Sequence, residues 1–148
     1  MKRLAVEQVS CGGRKELWAL KADICKSFSE PLADDEWPVR LLPLWDTMLM
    51  GHKDKSWTVP NGDELKAVWR RAAFVSAVVL ARGRAVAVWS YKKKRKSLDI
   101  EVTALSGWRK SLHLKGVEAE AEVLAAHLSY GAGESIVRTG RDSIISLR

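Results

Sequence analysis

The chain of 148 residues is poor in side chains that bind metals or form disulfides. Its two cysteines, Cys11 and Cys25, form no Cys-x-x-Cys pair, and the histidines His52, His113 and His127 form no His-Glu-x-x-His motif. These absences argue against a zinc site and predict that both cysteines are reduced. No metal or other cofactor is expected.

Motifs for catalysis and nucleotide binding are also missing. The sequence contains no Gly-x-Ser-x-Gly elbow, no Gly-rich phosphate loop and no Gly-x-Gly-x-x-Gly stretch. No apolar run approaches the ~20 residues of a membrane span, and the amino terminus lacks the apolar stretch of a signal peptide. We therefore expect a cytoplasmic domain, or a large piece of a longer protein, without membrane contact and without a self-contained active site.

Positive charge is plentiful but unevenly placed. The net charge is +7, and residues 1–60, with nine basic and nine acidic side chains, contribute none of it. A local positive field favours phosphate-rich partners or anionic membrane surfaces. Seven basic residues with no acid among them fall between positions 82 and 96, namely Arg82, Arg84, Lys92, Lys93, Lys94, Arg95 and Lys96.

Hydrophobic periodicity predicts a sheet in the middle of the chain. Residues 74–81 and 84–91 are apolar on both faces and are separated by Arg82-Gly83, which predicts two strands and a two-residue turn. The basic run 92–96 forms the next turn. Residues 98–105 alternate between apolar and polar side chains, which predicts a third strand with one wet face.

The flanking segments predict a hairpin before this sheet and a helix after it. Residues 4–23 form two extended runs around a Gly-Gly turn, and residues 116–130 carry an apolar stripe at helical spacing. Shorter strands are expected at 39–42 and 56–59. The predicted fold is α+β, with an antiparallel β-sheet or small β-barrel, a carboxy-terminal helix and a wing-like β-hairpin ahead of them.

The apolar block RLLPLWDTMLM at 40–50 encloses one carboxylate, Asp46. A general acid needs a second titratable group nearby, and His52 and Asp54 stand at no spacing that provides one. An aspartate before an apolar turn is typical of a helix N-cap, because its carboxylate accepts from N–H groups that lack a helical partner. We expect Asp46 to be structural and Met48–Met50 to begin a short helix.

The basic run has two interpretations. It is either a solvated turn that blunts a sheet edge, or a nucleic-acid contact in which each cation neutralises a phosphate and releases counterions. The concentration of charge favours the second interpretation, and a loop tip or two-stranded ribbon fits a groove of DNA. Of seven tryptophans, Trp57 and Trp108 have basic neighbours and are the candidates for stacking on bases.

Two stretches together resemble the AlkZ-like winged-helix DNA-binding proteins. VRLLPLWDTMLMGHKDKS is similar to the family's strand, aromatic-Asp pair and charged tail. AVVLARGRAVAVWSYKKKRKSLDIEV is similar to its strand, Gly-Arg turn, strand ending in Trp, basic turn and third strand. The resemblance covers residues 39 to about 138, and the hairpin at 4–23 resembles the wing that precedes this block.

The resemblance implies tandem winged helices and a carboxy-terminal β-barrel that bind DNA, with some members acting as DNA glycosylases in DNA repair. It divides this chain into a winged-helix remnant at 1–30 and a barrel-like domain at 38–148. The family's catalytic Gln-aromatic-Gln or Gln-x-Asp motif is missing, because Gln8 is the sole glutamine and neither motif surrounds it. No enzymatic activity is expected from the chain alone.

The leading expectation is a non-catalytic module that binds duplex DNA through phosphate contacts. Two alternatives remain open. One is an accessory part of a base-excision glycosylase completed by a separate winged-helix polypeptide, and the other is a structural module without nucleic-acid binding. An apolar face left uncovered would also favour self-association. The expected DNA contacts are Arg82, Arg84, Lys92, Lys93, Lys94, Arg95 and Lys96, followed by Lys53 and Lys55 near the barrel mouth.

Overall fold

The structure is α+β, and the chain divides into two compact units, Met1–Ala33 and Asp34–Arg148. None of the helices in the described residues is long and apolar enough to cross a membrane. The structure is a computed structural model that describes residues 4–11, 14–27, 32–33, 36–93, 98–128, 135–139 and 143–146.

The first unit contains the predicted β-hairpin. Strands β1 (Val6–Cys11) and β2 (Arg14–Leu20) pair antiparallel around the Gly-Gly turn position. Helix α1 (Lys21–Ser27) follows directly, so the second strand ends three residues before the predicted boundary. The backbone N–H of Lys21 donates to the carbonyl of Ala5 at 3.0 Å, which joins the start of the helix to the first strand.

The second unit is built on one sheet with helices on its faces. The strands are β3 (Arg40–Leu42), β4 (Val78–Ala81), β5 (Arg84–Lys93), β6 (Leu98–Ala104), β7 (Ser135–Thr139) and β8 (Ser143–Ser146). The helices are α2 (Thr47–Met50), α3 (Leu65–Val68) and α4 (Lys110–His127).

The strands lie side by side in chain order, from β3 at one edge to β8 at the other. Neighbours are antiparallel except β6 and β7, which are parallel because α4 carries the chain back between them. Over the described residues β3 and β8 do not pair, so the sheet is open. The antiparallel sheet with a helix is therefore confirmed, and the small closed barrel is wrong.

Both faces of the sheet are covered, as strands apolar on both faces predict. One core lies between the sheet and α4, where Ile100, Val117 and Ala121 are fully buried. A second core packs the other face against the short helices, with Leu49 of α2 and Val68 of α3 fully buried. Burial of large apolar side chains on both faces stabilises the sheet.

Helix α4 begins six residues earlier than predicted, so Gly116 lies inside it rather than at its start. A Cβ added at Gly116 would lie 2.6 Å from Cβ of Val39, just before β3. Glycine is therefore required for the close approach of the helix to the sheet. One turn further on, Glu120 accepts from Arg40 Nη1 at 3.1 Å and from the backbone N–H of Leu41 at 3.3 Å.

The strand predicted at 56–59 is wrong, because Lys55–Trp57 form a 3₁₀ turn. Asp54 Oδ1 accepts from the backbone N–H of Ser56 at 3.0 Å and from its hydroxyl at 2.7 Å. A side-chain cap of this kind competes with strand pairing.

Candidate nucleic-acid interface

The turn between β4 and β5 presents two arginines. Arg82 and Gly83 both have positive φ, +50° and +73°, as the central residues of a type I′ hairpin turn require. Positive φ is unfavourable for arginine. The Arg82 guanidinium carbon lies 5.6 Å from the centre of the Trp37 ring, a cation–π contact. Arg82 and Arg84 are both exposed.

These two arginines line a cleft of about 640 Å³ in the second unit. Arg109, at the N-cap of α4, lines the same cleft, and so do His113 and Glu64. Glu64 accepts from the Ser106 N–H at 2.6 Å and from its hydroxyl at 3.0 Å, which holds the loop after β6. Three guanidinium groups and one carboxylate give this concave surface a positive character.

Helix α4 and its N-cap bring Arg109 and His113 to the cleft, and the sequence did not identify either of them as a site residue. Arg109 is exposed, whereas His113, one turn along the helix, is only 5% exposed. They are about 25 residues from the arginine turn along the chain, and no local motif links them to it. Only the packing of α4 beside the β4–β5 turn brings them together.

His113 is held as a neutral imidazole. The Arg109 backbone N–H donates to His113 Nδ1 at 3.1 Å, which places the ring proton on Nε2. The Trp108 ring lies 5.4 Å away, centre to centre. Burial lowers the pKa of His113, and the positive charge of Arg109 lowers it further.

The lowered pKa of His113 predicts a pH-dependent stability. The unfolded chain takes up the proton near pH 6.5, the usual value, while the folded chain resists it. The contribution of His113 to the free energy of unfolding should therefore be complete above that pH. It should be lost as the pH falls from that value towards the lower pKa of the folded chain. His113→Gln keeps an acceptor for the Arg109 N–H but cannot take up the proton. In this variant the melting temperature should fall less between about pH 7.5 and about pH 5.5 than it does in the unaltered chain.

The exposed His127 near the end of the same helix supplies the control. His127→Gln should leave the decline in melting temperature unchanged. If His113→Gln and the unaltered chain show equal pH dependence, the buried imidazole does not cause it.

The first two residues of the basic run, which end strand β5, lie far from the arginine turn. Lys92 and Lys93 end the ten-residue strand β5, whose other end is Arg84, so about 30 Å of strand separates the two groups. Lys92 stands opposite Asp99 in the ladder. Lys94, Arg95 and Lys96 lie outside the described residues. Arg82 and Arg84 therefore do not form one patch with Lys92 and Lys93, although the four residues are close in sequence.

Lys55 is engaged inside the fold. Its ammonium group donates to the Leu49 carbonyl at 2.8 Å and lies 5.0 Å from the centre of the Trp69 ring. Lys53 is exposed. The contacts of Lys55 hold α2 against α3, so its position is explained without DNA.

Asp46 has the structural role predicted for it. Its Oδ1 accepts from the backbone N–H of Met48 at 2.9 Å and caps α2, which ends at Gly51. Of the two candidate stacking tryptophans, Trp57 is 47% exposed, whereas Trp108 packs against the core beneath α4. Among the described residues, no three His, Cys, Asp or Glu side chains come together as metal ligands.

The fold and the comparisons place the chain in a known class. A family model described as DNA glycosylase AlkZ-like matches residues 1–127. The chain belongs to the AlkZ-like DNA glycosylase family, as the two quoted stretches predicted.

A solved structure supports this assignment. The chain is similar to Streptomyces sahachiroi DNA glycosylase AlkZ, with 28% sequence identity and a TM-score of 0.68 over 90% of its own length. It spans 33% of the length of that protein. None of the curated proteins compared with the chain matches it significantly.

Proposed function

We propose that the chain is a non-catalytic DNA-binding module of the AlkZ-like family that holds duplex DNA through phosphate contacts. The observation that carries this proposal is the cleft in which Arg82 and Arg84 meet Arg109. Guanidinium groups bind phosphate through paired N–H donors, and cations on a concave surface reinforce one another's field.

The basic run supports a second point of contact. Lys92 and Lys93 are exposed, and Lys94, Arg95 and Lys96 follow them in sequence. Because β5 separates this end from the cleft, the two groups would touch different phosphates. Lys53 joins the proposed surface as an exposed cation, whereas the internal contacts of Lys55 make its contribution small.

Binding of a fluorescent duplex across a salt series tests the proposal. The logarithm of the binding constant falls by about 0.9 per phosphate contact for each tenfold rise in salt. Neutralising Lys92–Lys96 with glutamine should flatten this slope by up to about 4.5, and the double variant Arg82→Asn/Arg84→Gln by about 1.8. The two effects should add, since the groups are far apart.

Asparagine is the right replacement for Arg82. It tolerates positive φ and forms the favoured Asn-Gly pair of a type I′ turn. The relief of strain and the loss of the Trp37 contact are each of the order of 1 kcal/mol and opposite in sign. The melting temperature should therefore change little while binding weakens.

Lys66→Gln/Lys115→Gln is the matched control, because both lysines are exposed and lie outside the cleft and the basic run. This variant loses the same charge as the arginine double variant but should keep nearly the full slope. Equal slopes for the unaltered chain, the arginine variant and the basic-run variant would overturn the proposal.

Release of base from alkylated DNA separates binding from catalysis. The purified chain should bind the duplex and release no base, because the glutamine motif of the family is missing. Release by the chain alone would replace the proposal with an enzymatic function. Release only after a winged-helix polypeptide is added would favour the accessory role in a glycosylase.

The amino-terminal hairpin supports a partner in that position. Val6, Trp18 and Leu20 are exposed, and the pairs Val6–Leu20 and Gln8–Trp18 put them on one face of the hairpin. Since an isolated hairpin is marginal in water, we propose that winged-helix sequence of the family covers this face. Sedimentation of Trp18→Ser distinguishes this from self-association, which the variant would reduce.

A further inference from the structure

We infer that the turn before β4 carries a stacking site for an unpaired base of single-stranded DNA. Trp45 supplies the ring, and Arg70 and Arg71 supply charge for the phosphates beside that base. The site goes beyond the proposed function, because that proposal assigns only phosphate contacts with a duplex, made by other residues. It is carried by a half-exposed tryptophan in strained backbone, bound to a turn that bears two arginines.

The turn is closed by two backbone hydrogen bonds. The Phe74 N–H donates to the Arg71 carbonyl at 3.4 Å, and the Arg70 N–H donates to the Phe74 carbonyl at 2.8 Å. The central residues Ala72 and Ala73 have φ of +57° and +56°, as a type I′ turn requires. Alanine is unfavourable at these positions, for which Asn-Gly is the preferred pair. Contacts around the turn therefore hold it in this conformation.

Trp45 makes those contacts. Its backbone N–H donates to the Val75 carbonyl at 3.2 Å, and its ring Nε1 donates to the Ala73 carbonyl at 3.3 Å. The ring also packs edge to face with Phe74, 5.2 Å between centres. Trp45 itself has φ of +55°, which is rare for a bulky residue, and yet it is 48% exposed. Strain that is kept at an exposed aromatic side chain points to a function of that side chain.

Charge decides which kind of partner fits the ring. Arg70 and Arg71 are both exposed, and the Arg70 guanidinium carbon lies 5.5 Å from the centre of the Phe74 ring that Trp45 contacts. Within the part of the chain that the structure describes, neither arginine forms an ion pair. The Asp46 carboxylate caps α2 instead. Tryptophan is also enriched at protein–protein contacts, but two cations beside an exposed ring match a strand whose bases are flanked by phosphates.

The ring favours an unpaired base over a paired one. In a duplex the faces of each base are covered by its stacked neighbours, so a tryptophan at the protein surface reaches a base face only where a strand is single. Stacking on an aromatic ring is tolerant of sequence, because every base has a π face. We therefore expect the site to bind single strands with little sequence preference.

Two single-stranded DNA oligonucleotides of equal length form the test, one with all its bases and one with base-free sugars at its central positions. Both carry the same number of phosphates, so their difference in affinity measures contacts with bases alone. The unaltered chain should bind the complete strand at least about fivefold tighter, the lower limit for one stacked base. Fluorescence anisotropy of labelled strands measures both affinities.

Trp45→Phe and Trp45→Leu form a matched pair of variants. Both lose the Nε1 bond to Ala73 and both place a side chain at the same positive φ, so they differ in the aromatic ring. Trp45→Phe should keep most of the preference for the complete strand, whereas Trp45→Leu should remove it. Neither should alter the salt slope. Equal loss of the preference in both variants, or loss in neither, would overturn the site.

Arg71→Gln separates phosphate contacts from stacking. It should flatten the salt slope for either strand by about 0.7, the value for one phosphate of a single strand, and keep the preference for the complete strand. Its side chain is exposed and makes no hydrogen bond with any described residue, so the variant should remain folded. Trp57, which is 47% exposed, is the alternative ring. A preference that Trp57→Leu removes and Trp45→Leu keeps would overturn the assignment to Trp45.

The outcomes also separate this inference from the proposed function. Duplex binding with a normal salt slope but no preference between the two strands would overturn the stacking site and leave the duplex module standing. A preference that depends on Trp45, without duplex binding, would support the site and overturn the module. Reduced self-association of Trp45→Leu in sedimentation, with equal binding of the two strands by the unaltered chain, would assign the ring to a contact between copies and overturn the site.

Discussion

Replacing Gly116 with alanine should lower the free energy of unfolding by about 1–3 kcal/mol, the usual cost of overpacking. At an unconstrained helix position the same change would stabilise by up to about 1 kcal/mol, because alanine is the better helix former. The sign is reversed here because the new methyl group would lie 2.6 Å from Val39 Cβ and 2.7 Å from its Cγ2. Chemical denaturation measures the difference.

Gly62→Ala is the control for this prediction. No atom of the described residues lies within 4 Å of a Cβ added at Gly62, so that variant should change stability by less than about 1 kcal/mol. Val39→Gly combined with Gly116→Ala should show a favourable coupling, because it removes the atoms that the methyl group meets. A Gly116→Ala variant as stable as the unaltered chain would show that α4 can move away from the sheet at no cost.

Replacing Leu49 with alanine should cost about 2–5 kcal/mol, the range for a large aliphatic side chain in a well-packed core. Leu49 is 1% exposed and anchors the core on the α2 side of the sheet. The Lys55 ammonium group also binds its carbonyl. The loss should therefore loosen the segment between α2 and α3, which thermal unfolding will show as a lower melting temperature.

Met50→Ala provides the comparison on the same helix. Met50 is 47% exposed, so its truncation should cost less than about 1 kcal/mol. Equal losses for Leu49→Ala and Met50→Ala would mean that the apolar block packs in a different register. The pair therefore tests which member of the sequence TMLM faces the core.

Much of the sheet could be predicted from local sequence patterns, such as alternating hydrophobicity and turn residues. The turn at Arg82-Gly83, the amino-terminal hairpin and the Asp46 cap depend on nearest neighbours and were predicted correctly. The bounds of the flanking strands were less accurate, because β4 begins at Val78 rather than at 74 and β5 continues to Lys93. The apolar block was less informative, because composition does not distinguish buried Leu49 from exposed Met50. That distinction depends on which face of a four-residue helix meets the sheet.

The errors have a common cause in long-range packing. Gly116 suggested the start of a helix, since glycine usually marks a boundary, but contact with Val39 requires it in the interior. The joining of Arg109 and His113 to the arginine turn also depends on where α4 lies. The distance between the basic turns was available from the sequence, because an extended strand of ten residues separates whatever lies at its ends.

Strand β5 therefore fixes the distance between the basic residues at its two ends. The ~30 Å between its ends equals the rise of about nine base pairs, at about 3.4 Å for each step along a strand of DNA. If phosphates bind at both ends as we propose, a duplex below that length engages the arginine end or the lysine end, but not both. Simultaneous engagement therefore sets a minimum footprint, and affinity should rise abruptly once an oligonucleotide is long enough to bridge the strand.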